Sequence, residues 1–359
     1  MFCKALRWPD ESTNKESCCD SGQVLLPAIL DPPDILKELL FGTHKKSGKF
    51  LKDIRRYNTA FQMASTGVEL PKQLPVGLSS LILGGRIYHQ IGSLMHTPTS
   101  TNPNPSFAQI YILDPSAELD VRLNKFSNLD KELLEDIQDM LHLYNHFVKQ
   151  FRSALKLNPK SVSLTIPTLS STLSLRAKND KRYALPTASQ IAGLIPNSSN
   201  LKSSRQIIVY THDNKLHYIN SKNAAFEPLH FVLLFPHGEE GYHNQIPKQK
   251  TEYSKNYKTD RFSNFYVTRM KYTIYRLQLR FQEFPLFHYC RRLFQEWIIE
   301  MYLSWENDEL EYHMKHQDDY RGIKLNCFQD AFLKGQTNPT NLGQKIYLPK
   351  SFYGNVYSL

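Results

Sequence analysis

The sequence predicts an α+β fold, with short strands and helices mixed through its first part and a more helical part after about residue 245. Three observations lead there. The stretch from about Asp130 to Leu155 has amphipathic helical spacing. Runs such as QIIVYTHDNKLHYIN and LHFVLLFP are rich in β-branched and aromatic residues. After Tyr242 the pattern changes to basic and aromatic residues at helical spacing. The 359 residues are 41% hydrophobic and 12% aromatic, enough for sizeable cores, and the charged fraction of 22% is ordinary for folded chains.

Taken in order, residues 1 to 30 hold Cys3, Cys18 and Cys19 and little periodicity. PPDILKELLFG predicts a short helix with Pro33 near its start and Gly42 past its end. HKKSGKFLKDIRRYNTAFQMAS follows, basic and partly amphipathic. PVGLSSLILGGRIYHQIGSL and FAQIYILD read as strands. In the Asp130 to Leu155 helix, Leu133, Leu134, Ile137, Met140, Leu141, Tyr144, Phe147, Val148 and Phe151 form the apolar stripe. Acids crowd its start and Lys149 and Arg152 its end, as the helix dipole favours. QIIVYTHDNKLHYIN predicts a hairpin about Asp213-Asn214, and LHFVLLFP a buried strand stopped by Pro236. Phe287 to Trp305 predicts an apolar helix running into the acidic, solvated ENDELEYHMKHQDD.

No apolar run approaches the roughly 20 residues that span a bilayer, and the first residues lack a signal-peptide core. A soluble, intracellular chain is expected. Five cysteines, Cys290 and Cys327 being the others, then point to free thiols or a metal cluster rather than disulfides. The formal charge of +10 suits a polyanionic partner.

Searches for catalytic motifs fail. The nearest phosphate loop, GTHKKSGKF, has five residues between its glycines and Phe50 where a hydroxyl is required. A His-x-His pair of a strand-nicking nuclease, the HExxH of a zinc protease and a G-x-S-x-G elbow are all absent. The sequence therefore predicts no enzyme in this chain. LLFPHGEEGYH places His237, Glu239, Glu240 and His243 together, so a metalloenzyme centred on His237 and Glu240 is a further reading. Pro236, Gly238 and Gly241 favour a turn there instead. Cys3, Cys18 and Cys19 offer three thiolates to zinc, while a closed site needs four ligands, and no fourth is evident nearby.

The segment from Lys248 to Arg280 carries nine Lys or Arg against Glu252 and Asp260, a net +7, with seven Tyr or Phe interleaved. Cations neutralise phosphates and aromatic faces stack on unpaired bases, so the mixture suits single-stranded DNA. The expected contacts are Arg269, Lys271, Arg276 and Arg280 for phosphates, with Tyr272 and Tyr275 as platforms. An alternative is a half-buried helix whose tyrosines and Leu277 face the core while the basic residues stay solvated.

Ten blocks, among them CCDSGQVLLP, PPDILKELL, IRRYNTAFQMASTGV, LPTASQIAGLIP, PLHFVLLFPHGEEGYH, RRLFQEWIIEMYLSWENDELEYHMKHQDDYR and IYLPKSFYG, resemble the N-terminal, helicase-like region of eukaryotic Helitron transposases. For a full-length protein the resemblance implies rolling-circle DNA cleavage through Tyr and ATP-driven unwinding, with ATP and divalent metal serving domains beyond IYLPKSFYG. It also implies a zinc-finger-like pattern matched by Cys3, Trp8, Glu11, Cys18 and Cys19 but lacking its first Cys. The organisation expected is an incomplete, poorly ordered zinc-finger-like segment over 1–30, a mixed α/β region over 31–245, a basic-aromatic helical region over 246–335 and the tail of a truncated nuclease domain over 336–359. The function expected is noncatalytic DNA binding by a transposon-derived fragment, truncated at both ends and nuclear by resemblance. No cofactor is expected unless a fourth zinc ligand is supplied. The alternative is a protein-interaction module in which Trp297 and Trp305 dock the missing nuclease and helicase domains.

Overall fold

The computed structural model describes residues 3–6, 18–68, 87–91, 105–154, 163–167, 206–210, 217–249, 265–281 and 283–316. The chain divides into two compact units, Met1–Ile299 and Glu300–Leu359. What is described of the second is residues 300–316, most of one helix.

The first unit opens with α1 (Asp34–Phe41), α2 (Ser47–Lys52) and α3 (Ile54–Phe61). A 3-10 helix (Phe107–Ile112), α4 (Pro115–Lys125), α5 (Lys131–Tyr144) and α6 (His146–Ala154) follow. Later come α7 (Phe226–His230), α8 (Arg269–Leu277), α9 (Leu286–Tyr289) and α10 (Arg292–Lys315). The strands are three to five residues long: β1 (Ser65–Val68), β2 (Ile87–Ile91), β3 (Ser163–Pro167), β4 (Gln206–Tyr210) and β5 (His217–Ile219). They pair antiparallel in the orders β1-β2-β5 and β3-β4. Their main contacts among the described residues are with one another, and His89 of β2 stacks on Phe226 of α7 at 3.8 Å.

The fold is therefore mainly helical, and the α+β expectation is overturned. The reason lies in how apolar runs satisfy their backbones. FAQIYILD, expected as a strand, winds into the 3-10 helix, entered by a capping box of Ser106 and Gln109. LHFVLLFP is wholly buried as expected but is not a strand. Its amides bond locally, Leu234 and Phe235 to the Phe231 carbonyl, or to a side chain, Leu233 to Asn58 Oδ1 at 3.2 Å. The expected hairpin also fails, because β4 pairs with β3 and β5 with β2.

The expected Asp130 to Leu155 helix is two helices. Asn145 closes α5 through its amide to the Leu141 carbonyl, and its Oδ1 accepts from the amides of Phe147 and Val148 at the start of α6. One capping side chain thus interrupts a continuous apolar stripe. Inside this helical group sits a buried charge network. Glu118 accepts from Arg122 at 2.6 Å and lies 2.8 Å from His142 Nε2, while Arg122 also donates to Gln138 (2.7 Å) and the Ala60 carbonyl (3.0 Å). Fully buried charges persist only when paired in this way.

No helix among the described residues is long and apolar enough to cross a membrane.

Candidate functional site

The residues singled out for DNA contact fall on α8 and just beyond it. Thr268 caps α8, its side chain accepting from the Lys271 amide. Tyr272 and Tyr275 are 1% and 2% exposed, and Arg269, Arg276 and Arg280 are 2%, 9% and 8% exposed. Each guanidinium covers a tyrosine ring: Arg269 over Tyr242 at 4.4 Å, Arg276 over Tyr272 at 5.5 Å and Arg280 over Tyr275 at 3.5 Å. The same groups donate to protein oxygens. Arg269 reaches the Ser221 carbonyl at 3.0 Å, Arg276 the Pro27 carbonyl at 2.9 Å, and Arg280 the carbonyls of Tyr275 and Gln278 at 2.9 and 3.2 Å. Lys271 is ion-paired with Asp20.

The tyrosines face the core, as the alternative reading expected, but the rest differs from both expectations. Tyr272 and Tyr275 do not offer open faces to bases, because an aromatic ring inside a core is best covered by a flat, weakly hydrated cation. The basic residues are not left solvated either. Arginine, with its planar donors, can enter where lysine cannot, and the one lysine of the set stays nearer the surface against Asp20.

Glu227 is the hub that the sequence reading missed. Its carboxylate, 1% exposed, accepts from the Tyr242 amide at 2.5 Å and the Trp297 indole at 2.8 Å, with the Tyr272 hydroxyl at 3.5 Å. Burial pushes its pKa up, against the pull of those donors and of Arg269 and Arg276. The same burial raises the Tyr272 hydroxyl. An acid set inside the apolar run FEPLH was the available signal, since a buried carboxylate demands donors. Trp297, expected as a docking residue, is fully enclosed by this arrangement.

PHGEEGYH is the clasp around that hub. Gly241 lies so close that a Cβ there would stand 2.8 Å from Glu227 Cβ, and Gly238, at φ +80°, would drive one to 2.6 Å from His146 Nδ1. The His237 carbonyl accepts from the His146 amide at 3.1 Å, and its ring Nε2 lies 2.9 Å from the Asp31 carbonyl. Burial lowers the His243 pKa to about 4, with Glu240 3.9 Å from its Nε2, at the edge of ion-pair reach. His237 and Glu240 do not join a three-donor cluster among the described residues. The loop's polar groups hold neighbouring segments.

Cys3, Cys18 and Cys19 do come together. They are buried, their sulfurs lie within 4.8 Å of one another, and Cys3 and Cys18 are 3.4 Å apart. Burial raises the Cys3 thiol, but the Ala5 backbone, the neighbouring thiols and Arg280 outweigh it and hold its pKa below the ordinary value. Burial pushes Cys19 up to about 12. The N-terminal arm is fixed by a bridge from Ala5 to Arg280 and by the Leu6 amide on the Leu279 carbonyl at 2.8 Å. Three donors fit one side of a zinc ion. A closed structural site takes four, and the described cluster supplies three. Cys327 lies outside the described residues.

The cysteine turn, α8 and the first turns of α10, which begins RLFQEW, are thus tied together. Residues 272–357 match the family profile described as the Helitron helicase-like domain at N-terminus. That stretch, under a quarter of the chain, is similar to the N-terminal region of Helitron proteins. The match begins at Tyr272, inside α8, so the Helitron-related region starts within the arginine–tyrosine stack and includes α9 and α10. No curated protein matches the chain.

Proposed function

We propose that this protein is a noncatalytic, DNA-binding region of a Helitron-type rolling-circle transposase, acting in the nucleus and holding single-stranded DNA. The observation that carries the reading is the Helitron match over residues 272–357, in a chain whose formal charge is +10. Chemistry on the DNA is assigned to other parts of such a transposase, because no nuclease or phosphate-loop motif occurs in the sequence. In this reading the arginines of α8 brace the domain, and the phosphates meet cations elsewhere on its surface. If zinc binds, Cys3, Cys18 and Cys19 hold it with a fourth ligand from another source, and it staples the N-terminal arm.

The test is fluorescence anisotropy of the full chain with a labelled single-stranded oligonucleotide across a salt series. Binding that weakens steeply as salt rises supports the reading. Absent or salt-insensitive binding by folded protein overturns it and favours the protein-interaction alternative.

A further inference from the structure

We infer that the outward face of α2 and α3 is the surface that takes the phosphates of a DNA strand, through Lys52, Arg55 and Arg56 with Lys45 and Lys49 beside them. The inference rests on the DNA-binding reading above and names the site within it. All five side chains belong to exposed residues. Lys49 and Lys52, three apart, lie on one side of α2; Arg55 and Arg56 stand in the first turn of α3, and Lys45 in the turn that leads into α2. The two helices run nearly end to end. The Asp53 amide closes α2 on the Lys49 carbonyl, and the Asp53 carbonyl accepts the Tyr57 amide in α3. The five cations fall within residues 45–56, enough for several phosphates of one strand.

The opposite side of the same helices is fixed in place. Phe50, Ile54, Tyr57 and Phe61 are 0% or 1% exposed. Asn58 donates to the His230 carbonyl at 2.9 Å, and the Asp130 amide donates to the Tyr57 hydroxyl at 3.1 Å. The cations therefore stand on a rigid base, which lowers the entropic cost of ordering them against a ligand. The surface is open as well, since a Cβ on Gly48 would meet nothing within 4 Å.

The acids around the stripe are unevenly placed. Asp130 and Glu132 gather at its N-terminal end, where they bind Lys46 at 2.7 and 2.5 Å; Asp130 also takes Lys49 at 3.0 Å and Glu132 lies 3.8 Å from Lys45. Asp53 is 3.8 Å from Arg56. Among the described residues no acid is within ion-pair reach of Lys52 or Arg55. Fixed, exposed and underneutralised cations at this end are the complement of a phosphate chain.

The experiment compares three forms of the full chain by anisotropy with single-stranded DNA between 50 and 300 mM salt. Lys52→Gln/Arg55→Gln/Arg56→Gln should weaken binding about tenfold or more and flatten the log–log salt slope by about 2, the loss of three phosphate contacts on a single strand. Lys149→Gln/Arg291→Gln/Arg292→Gln removes the same charge from other exposed positions and should change the slope by less than about 0.5. Lys52→Arg/Arg55→Lys/Arg56→Lys keeps the charges and should bind as the unaltered protein does. Equal losses in the first two variants would overturn this location while leaving DNA binding intact. Unaltered affinity in the first variant would do the same. Failure of the unaltered chain to bind would overturn both.

Discussion

Two stretches of this protein are basic and aromatic, and the fold uses them in opposite ways. In KKSGKFLKDIRRY, over α2 and α3, the apolar and basic residues separate cleanly onto two sides of the helices. The cations there face solvent. In RMKYTIYRLQLR, over α8 and its exit, tyrosines and arginines alternate at positions that both point inward, and each arginine covers a ring while donating to backbone oxygens. Composition alone does not distinguish the two. What does is the identity of the cation and of its helical neighbours three and four residues away. Arg276 lies four after Tyr272 within α8, so ring and guanidinium meet, and Arg280, beyond the helix end, folds back over Tyr275. In α2, Lys49 and Lys52 have lysines and arginines at those spacings, and no arrangement buries them together.

The comparison breaks most severely at Glu227. Glu227→Ala removes the acceptor shared by Tyr242, Trp297 and Tyr272 and leaves their buried donors unpaired, which should cost about 3–5 kcal/mol of stability in a urea unfolding curve. An exposed acid such as Glu132, although it pairs with Lys46, should cost less than about 1 kcal/mol when replaced. Gly241→Ala drives a Cβ into Glu227 and should lower stability by about 2 kcal/mol, as overpacking does. The corresponding change at Gly48, on the open side of α2, should be neutral or slightly stabilising.

A pH titration sharpens the contrast at smaller cost. His243 has a folded pKa of about 4 against about 6.5 unfolded. Between those values the unfolded chain holds a proton that the folded one refuses, so stability should fall as pH drops from 6.5 to 4. The fall from this group should be on the order of 3 kcal/mol, and His243→Gln should remove it from the pH–stability profile.

Much of this was legible in the sequence, for reasons that can be named. The helical periodicity of the α1 and α5 segments follows from core-facing apolar spacing and survives folding. The apolar runs FAQIYILD and LHFVLLFP declared their burial but not their backbone, because a short apolar run satisfies its amides equally well by turns, by 3-10 bonds or by a ladder. The break at Asn145 was hidden by the stripe that continues on both sides of it. Cys18-Cys19 and the distant Cys3 were visible as zinc candidates, but the sequence favoured exposed thiols, and their burial together depends on the Ala5–Arg280 bridge that fixes the N-terminal arm. The arginines of α8 misled because net charge suggests solvent, whereas a guanidinium stacked on tyrosine and bonded to carbonyls belongs inside. The basic face of α2 and α3 was visible as a basic, partly amphipathic stretch, but its exposure depends on Phe50, Ile54 and Tyr57 being pinned beneath it.

The most direct test of the difference between the two stretches is urea unfolding of Arg280→Gln and Arg55→Gln measured side by side with the unaltered chain. Both replace one arginine with the same neutral residue. The enclosed Arg280 should cost about 2–3 kcal/mol, through uncovered Tyr275 and unpartnered carbonyls, and the exposed Arg55 less than about 0.5 kcal/mol. Equal midpoints for the two variants, or a larger loss at Arg55, would contradict the account.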